Sequence, residues 1–161
     1  MMNDETGNVA AGTVEGTATP GPEYRPLDAL LGRWMTTGHT FGTDRSPSAP
    51  IHASDIYEWA PGGFFVLHTA YGTIGDQGVG GIEMIGYDAE TRLFHTTFFD
   101  SQGNVTTEEL SVDGTTWKWA GDEVRCTGVL EDDRRTMVCH HERREGESWV
   151  PSMDVTLTKV D

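Results

Sequence analysis

The stretch TTEELSVDGTTWKWAGDEVRCTGVLEDDRRTMVCHHE, Thr106 to Glu142, decides the fold. Short segments that alternate apolar and polar side chains are separated by Asp113-Gly114, Gly121-Asp122 and Asp132-Asp133. Two-residue loops with Gly or Asp between such segments favour the primed turns of β-hairpins. Centring the turns on those dipeptides predicts two rows across four strands: Glu108–Trp119–Val124–His141 and Leu110–Trp117–Cys126–Cys139. The opposite face reads Glu109–Lys118–Arg125–His140, which is chemistry for water. The first face is therefore the inner one, and it holds two indoles, a carboxylate and an imidazole.

The same period of two continues through most of the chain. Ten strands are expected, at 33–41, 51–60, 63–72, 80–88, 92–100, 104–113, 115–121, 123–131, 134–143 and 148–159. Ala60-Pro61-Gly62-Gly63 has the Pro-Gly centre of a type II turn, and Asp100 to Asn104 suits a three-residue hairpin with Gly103 left-handed. Gly42–Pro50 and Gly72–Gly80 read as looser loops, the expected lips of a cavity. The helix candidate is Tyr24–Gly32, where Leu27, Leu30 and Leu31 share a face. Many evenly spaced strands with short connections predict an all-β fold, an up-and-down antiparallel β-barrel of about ten strands with the helix at one end. A ten-strand barrel is wider than its own side chains fill, since eight strands already just suffice.

Residues 1–23 are Gly, Thr, Ala, Glu and Pro with few bulky apolar side chains, so they read as a disordered tail before a single domain at 24–161. The chain of 161 residues carries a formal charge of −15. Such a field repels phosphate backbones and anionic membrane surfaces, so no nucleic acid and no membrane partner is expected. No apolar run is long enough to cross a bilayer, the N-terminus does not read as a secretory signal, and two cysteines make no disulfide scaffold. A cytoplasmic monomer or homodimer follows as the expectation.

Leu31-Gly32-Arg33-Trp34 opens the first strand directly after the short helix. With Tyr57-Glu-Trp59 before Pro61-Gly-Gly63, Gly86-Tyr-Asp88, Phe99-Asp100-Ser101 and the closing Thr156-Leu-Thr-Lys159, it resembles the calycin superfamily of lipocalins and fatty-acid-binding proteins. The set is most similar to a family of bacterial lipocalin-like domains. The resemblance spans roughly residues 27–160 and implies a barrel around a ligand cavity, with Trp34 closing its base. It carries over no catalytic residue. The G-x-W-x-G-x-G opening of nitrobindin-type haem barrels is not matched by Gly32-Arg-Trp-Met-Thr-Thr-Gly38, so no cofactor is expected.

Four constellations carry the chemistry. Extending the hairpin pairing through Gly103 places Thr96 beside Glu108, and across Asp88–Arg92 it places Glu83 beside Thr96. Interior carboxylates near a hydroxyl orient a ligand, or act as acid and base when burial spreads their pKa values. Trp117 and Trp119, with Tyr57, Phe94, Phe98 and Trp149, supply an aromatic lining. The Pro61-Gly62 hairpin sets Asp55 opposite His68, the arrangement that orients an imidazole base, although structural pairs of this kind are the commoner case. Cys126 opposite Cys139 near His141 lacks the spacing and fourth ligand of a zinc site, so no metal is expected.

The expected ligand-binding set is Trp34, Tyr57, Glu83, Thr96, Phe98, Glu108, Trp117, Trp119 and His141, with Glu108, His141, Asp55 and His68 as the catalytic candidates. Two functions follow. One is a barrel binding a small, largely apolar molecule. The other is a cofactor-independent isomerase or cyclase working by acid–base chemistry.

Overall fold

The computed structural model describes residues 18–161. It contains a 3-10 helix, Pro22–Leu30, and ten strands: β1 Gly32–Thr40, β2 Pro50–Trp59, β3 Phe65–Ile74, β4 Gln77–Asp88, β5 Leu93–Asp100, β6 Val105–Asp113, β7 Thr116–Ala120, β8 Val124–Leu130, β9 Thr136–Glu145 and β10 Ser148–Lys159. Each strand pairs antiparallel with its neighbours in sequence, and β1 pairs with β10 to close the barrel. Closure leaves no sheet edge unpaired. Among the described residues no helix is long and apolar enough to cross a membrane.

The turns explain how the strands were legible. Gly103 is left-handed (φ 87°), with its N–H donating to the Asp100 carbonyl, as the three-residue hairpin requires. In the C-terminal half, however, the turns centre on Gly114-Thr115, Asp122-Glu123 and Asp133-Arg134, one residue later than expected. Moving a turn by one residue slides the strands by two, so every side chain keeps its face while its partner changes. The rows are therefore Leu110–Trp119–Cys126–His141 and Val112–Trp117–Gly128–Cys139. Val124 lies at the rim opposite Arg143 and is exposed rather than interior.

The expected loop at 72–80 is instead a tight hairpin. Ile74 pairs with Gln77 across Gly75-Asp76, and Gly75 has the positive φ (58°) that such a turn demands. Gly42–Pro50 remains a loop, pinned by a Thr43–Ser46 bridge.

The helix closes one end. Pro22 suits the first position, whereas Pro26 removes a donor that a continuous α-helix would use. The resulting three-residue repeat stacks Tyr24, Leu27 and Leu30 on one face. Leu27 and Leu30 are buried against Trp34, whose indole N–H donates to the Leu30 carbonyl at 2.7 Å. Tyr24 packs edge-on against Phe64 and Tyr87, so the helix leans toward the β2–β5 side of the base. It begins inside the stretch read as tail, and residues 1–17 lie outside the described part.

Above this apolar floor the inner wall changes character. On β1 to β4 a band of small inward residues, Gly38, Ala53, Ala70, Gly72 and Gly81, lies above it, with Ile51, Ile74 and Val79 beyond the band toward the far end. A Cβ on Gly38 would overlap the Asp154 carbonyl of the next strand, so the sheet there coils more tightly than a side chain permits. Outside, the rows are charged on the C-terminal strands, whereas β3–β6 expose Phe65, Tyr71, Ile82, Met84, Phe99 and Val105.

Candidate functional site

The inner face of β1–β6 carries a connected polar chain. His68 on β3 faces Glu83 on β4, and its Nδ1 lies 3.0 Å from Glu83 Oε1. Its Nε2 lies 2.7 Å from Oδ1 of Asp55 on β2. The other Asp55 oxygen, Oδ2, accepts a hydrogen bond from the Thr36 hydroxyl of β1. Thr36, Asp55, His68 and Glu83 are all buried. A ring nitrogen facing a carboxylate must donate, and only an imidazolium donates from both. Burial alone pushes the His68 pKa down. The hydrogen bonds and charges of Asp55 and Glu83 outweigh it and hold the value at about 9. The Tyr57 ring lies flat on the imidazole, 4.0 Å between centroids and 10° between planes. Burial, with Asp55 and Glu83 nearby, pushes the Tyr57 phenol upward, so it stays a neutral stacking partner.

A third carboxyl, Glu108 on β6, lies within reach of the Glu83 charge. Burial first, then the Glu83 charge, raises the Glu108 pKa to about 7. Glu108 pairs with Thr96 on β5, as expected from sequence. Thr96 is 1% exposed, and its hydroxyl oxygen has no hydrogen-bond partner among the described residues. Buried side-chain polar atoms are nearly always partnered, so each orphan calls for an explanation.

The β6–β10 wall is built differently. Trp117 and Trp119 stack at 6.2 Å, and the Trp119 ring lies where a Cβ on Gly128 would be 3.4 Å from Cζ3. Cys126 Sγ is 3.5 Å from His141 Nε2, and Cys126 and Cys139 are free thiols. Contact with Cys139 and burial push the Cys126 thiol far up, so it is no nucleophile. Burial lowers His141 to about 4, against the opposing pull of Asp154, so this imidazole is neutral at pH 7.

The structure thus brings some expected residues together and separates others. Asp55 does meet His68, though diagonally, because Tyr57 is the residue directly opposite. Glu83 points inward but faces Phe98; Thr96 faces Ile85 and has Glu83 as a diagonal neighbour. Glu108 and His141 do not share a row: His141 belongs with Leu110, Trp119 and Cys126. Cys126 faces His141, not Cys139. Trp34 is part of the packed base, and Trp117 is equally buried. Phe98 is half-buried and folds over Gly81, where an added Cβ would be 2.7 Å from Cζ. Trp149 is outside: the irregularity between Pro151 and Met153 reverses the parity of β10, and Arg125 covers the indole at 4.4 Å.

Two partners escaped the sequence reading. Thr36 carried no signal beyond its parity. The His68–Glu83 bond did have one, since a two-residue turn at Gly75-Asp76 pairs these residues directly. Both His68 nitrogens are engaged, so neither offers a lone pair to a metal. Among the described residues no three His, Cys, Asp or Glu side chains are grouped to hold one.

The family model described as "Protein of unknown function (DUF1579)" matches residues 19–159, and the chain belongs to that family. No curated protein matches it. Among solved structures, Rv2717c from M. tuberculosis is similar at 11% identity and a TM-score of 0.64, covering 88% of this chain and 99% of that one. The S-type phycobiliprotein lyase CPES from Guillardia theta is similar at 6% identity and a TM-score of 0.51, covering 85% and 92%. A de novo designed fluorescence-activating β-barrel aligns at 8% identity with a TM-score of 0.45, covering 83% and 95%. At such identities the first two show a shared fold, a lipocalin-like barrel of this kind.

Proposed function

We propose that this DUF1579 barrel is a calycin that binds a small, largely apolar molecule through the open half of its lumen. The observation that carries the reading is the orphaned Thr96 hydroxyl beside Glu108. A buried hydroxyl without a partner costs about 1–3 kcal/mol unless something supplies one. A ligand with a hydroxyl, carbonyl or amine would do so, and Glu108 can present either a donor or an acceptor near neutral pH. Inward residues around it, Phe98, Trp119, His141 and Met153, retain partial exposure, as expected for groups reached through a mouth. Aromatic surface supplies affinity, and the few polar groups set orientation. Trp34 and Trp117 support the site from below.

The test is to extract the purified protein with organic solvent, identify what co-purifies by mass spectrometry, and titrate it back. Trp119→Ala and Glu108→Gln should each weaken binding about tenfold or more with the circular dichroism unchanged, the loss expected for a buried aromatic or charge-assisted contact. Equal binding by wild type and both variants would end the proposal.

A second reading, a cofactor-independent isomerase or cyclase, is favoured by the half-buried Glu108 carboxyl beside Thr96 on the inner face, where burial raises its pKa to about 7, the range that suits a general acid–base group. His68 is not its base, because both ring nitrogens already donate. Catalysis by Glu108 predicts a pH–rate profile whose neutral limb disappears in Glu108→Gln. A rate indifferent to that change leaves passive binding.

A further inference from the structure

The helix covers only part of the barrel's closed end. Between it and the turns of β6–β7 and β8–β9 lies a crevice of about 670 Å³. Its walls include Pro26, Ala29, Val112, Leu130 and Trp117, and its charged lining is Arg25, Arg134, Arg135 and Lys159 with Asp28 and Asp133. The chain has 11 Lys and Arg against 26 Asp and Glu, so four cations around one hollow run against the charge of the whole molecule.

Neither acid forms a salt bridge with these cations, and carboxyl oxygens of both are engaged elsewhere. Asp28 accepts from the Trp59 indole at 3.1 Å, and both oxygens of Asp133 cap the start of β9 through Arg135 N, Thr136 N and the Thr136 hydroxyl. Among the described residues none of the four cations lies within salt-bridge distance of a carboxylate, whereas Arg125 and Arg143 each do. Burial and then the charges of Arg135 and Arg134 push the Lys159 amine downward, the mark of positive groups crowded together. Trp117 adds a buried indole N–H with no partner among the described residues. Arg135 donates to the Lys159 carbonyl at 2.9 Å, the Lys159 amine lies 5.0 Å from the Trp34 ring centroid, and Asp161 offsets part of the crowding. Four cations without a salt-bridge partner beside an apolar wall are the complement of an amphipathic anion.

We propose that this crevice is a second binding site, for an organic anion with a carboxylate or phosphate head and an apolar body. The head sits among Arg25, Arg134, Arg135 and Lys159, and the body lies along Val112, Leu130 and the outer edge of Trp117. The site takes a ligand distinct from the one proposed for the lumen, and Trp117 stands between the two.

Titration calorimetry with decanoate, decyl phosphate, decan-1-ol and inorganic phosphate tests this on the full chain. Decanoate or decyl phosphate should bind more tightly than decan-1-ol and than inorganic phosphate, by about tenfold or more, the worth of one or two charge-assisted contacts. Arg25→Gln with Arg134→Asn should remove that preference. Asn tolerates the left-handed backbone at 134 (φ 55°), so the second change does not strain the turn. Glu108→Gln, which alters the lumen and touches no wall of the crevice, should leave the preference intact, so failure of the lumen proposal is seen separately. If the double variant misfolds, wild-type affinity for decanoate must instead fall severalfold as NaCl is raised through the range where screening becomes short. Equal affinity for decanoate and decan-1-ol, a preference unchanged in the double variant, or one lost in Glu108→Gln overturns the assignment.

Discussion

Two histidines on the inner wall, His68 on β3 and His141 on β9, have opposite fates. His68 is buried between two carboxylates and held at about 9, whereas His141 is half-buried beside a thiol and pushed to about 4. Desolvation acts on both in the same direction. What differs is whether the neighbouring strands offer hydrogen-bonding anions, and β2 and β4 do while β8 offers Cys126. One wall of the barrel therefore keeps its charge by pairing, and the other sheds it by deprotonation.

The sharpest way to break that contrast is truncation. His68→Ala should destabilise the barrel by about 3–5 kcal/mol, because Asp55 and Glu83 are left buried without their cation. His141→Ala should cost no more than about 1–2 kcal/mol. Urea denaturation at pH 7 compares them, and similar losses would mean that the two walls are not different in kind.

The pH dependence follows in opposite senses. The folded pKa of His68 lies above the ordinary 6.5, so its contribution is complete below pH 6.5 and lost as pH rises through about 9. That amounts to about 3 kcal/mol. The folded value of His141 lies below 6.5, so its contribution is present above pH 6.5 and lost as pH falls toward about 4. Imidazole proton resonances should titrate near these two values, and a single shared midpoint would contradict the assignment.

Glu108 sits where the walls meet and sharpens the comparison. Its folded pKa of about 7 exceeds the ordinary 4.5, so the wild type loses relative stability between pH 4.5 and 7. Glu108→Gln should then gain about 1–2 kcal/mol at pH 8 and nothing at pH 4. The smallest effect is expected from Thr96→Val, which removes the orphan hydroxyl at nearly constant shape. Without ligand its stability should stay within about 1 kcal/mol of wild type or rise, while the thermal shift produced by the lumen ligand shrinks.

These side chains also show what a sequence can convey. The face of each strand survived errors in turn position, because a turn displaced by one residue moves the pairing by an even step. Trp117, Trp119, Glu108, Cys126 and His141 thus lie on the expected inner face although every pairing in their two rows differs from the expected one. Parity failed only at Trp149, where the irregularity at Pro151–Met153 inserts an odd step that no local pattern announces. Asp55 and His68 were legible as neighbours because one Pro-Gly turn joins their strands. The joining of that pair to Glu83 was hidden in a glycine-rich segment that reads as a loop and folds as a hairpin.

Alternation of side chains and turn chemistry, both local properties, were sufficient for an antiparallel barrel with an aromatic, partly acidic interior. The protonation of that interior was decided by contacts across strands distant in the chain: Thr36 to Asp55, His68 to Glu83, Cys126 to His141. A pKa depends on what lies within a few ångströms in space, and only the closed barrel fixes that.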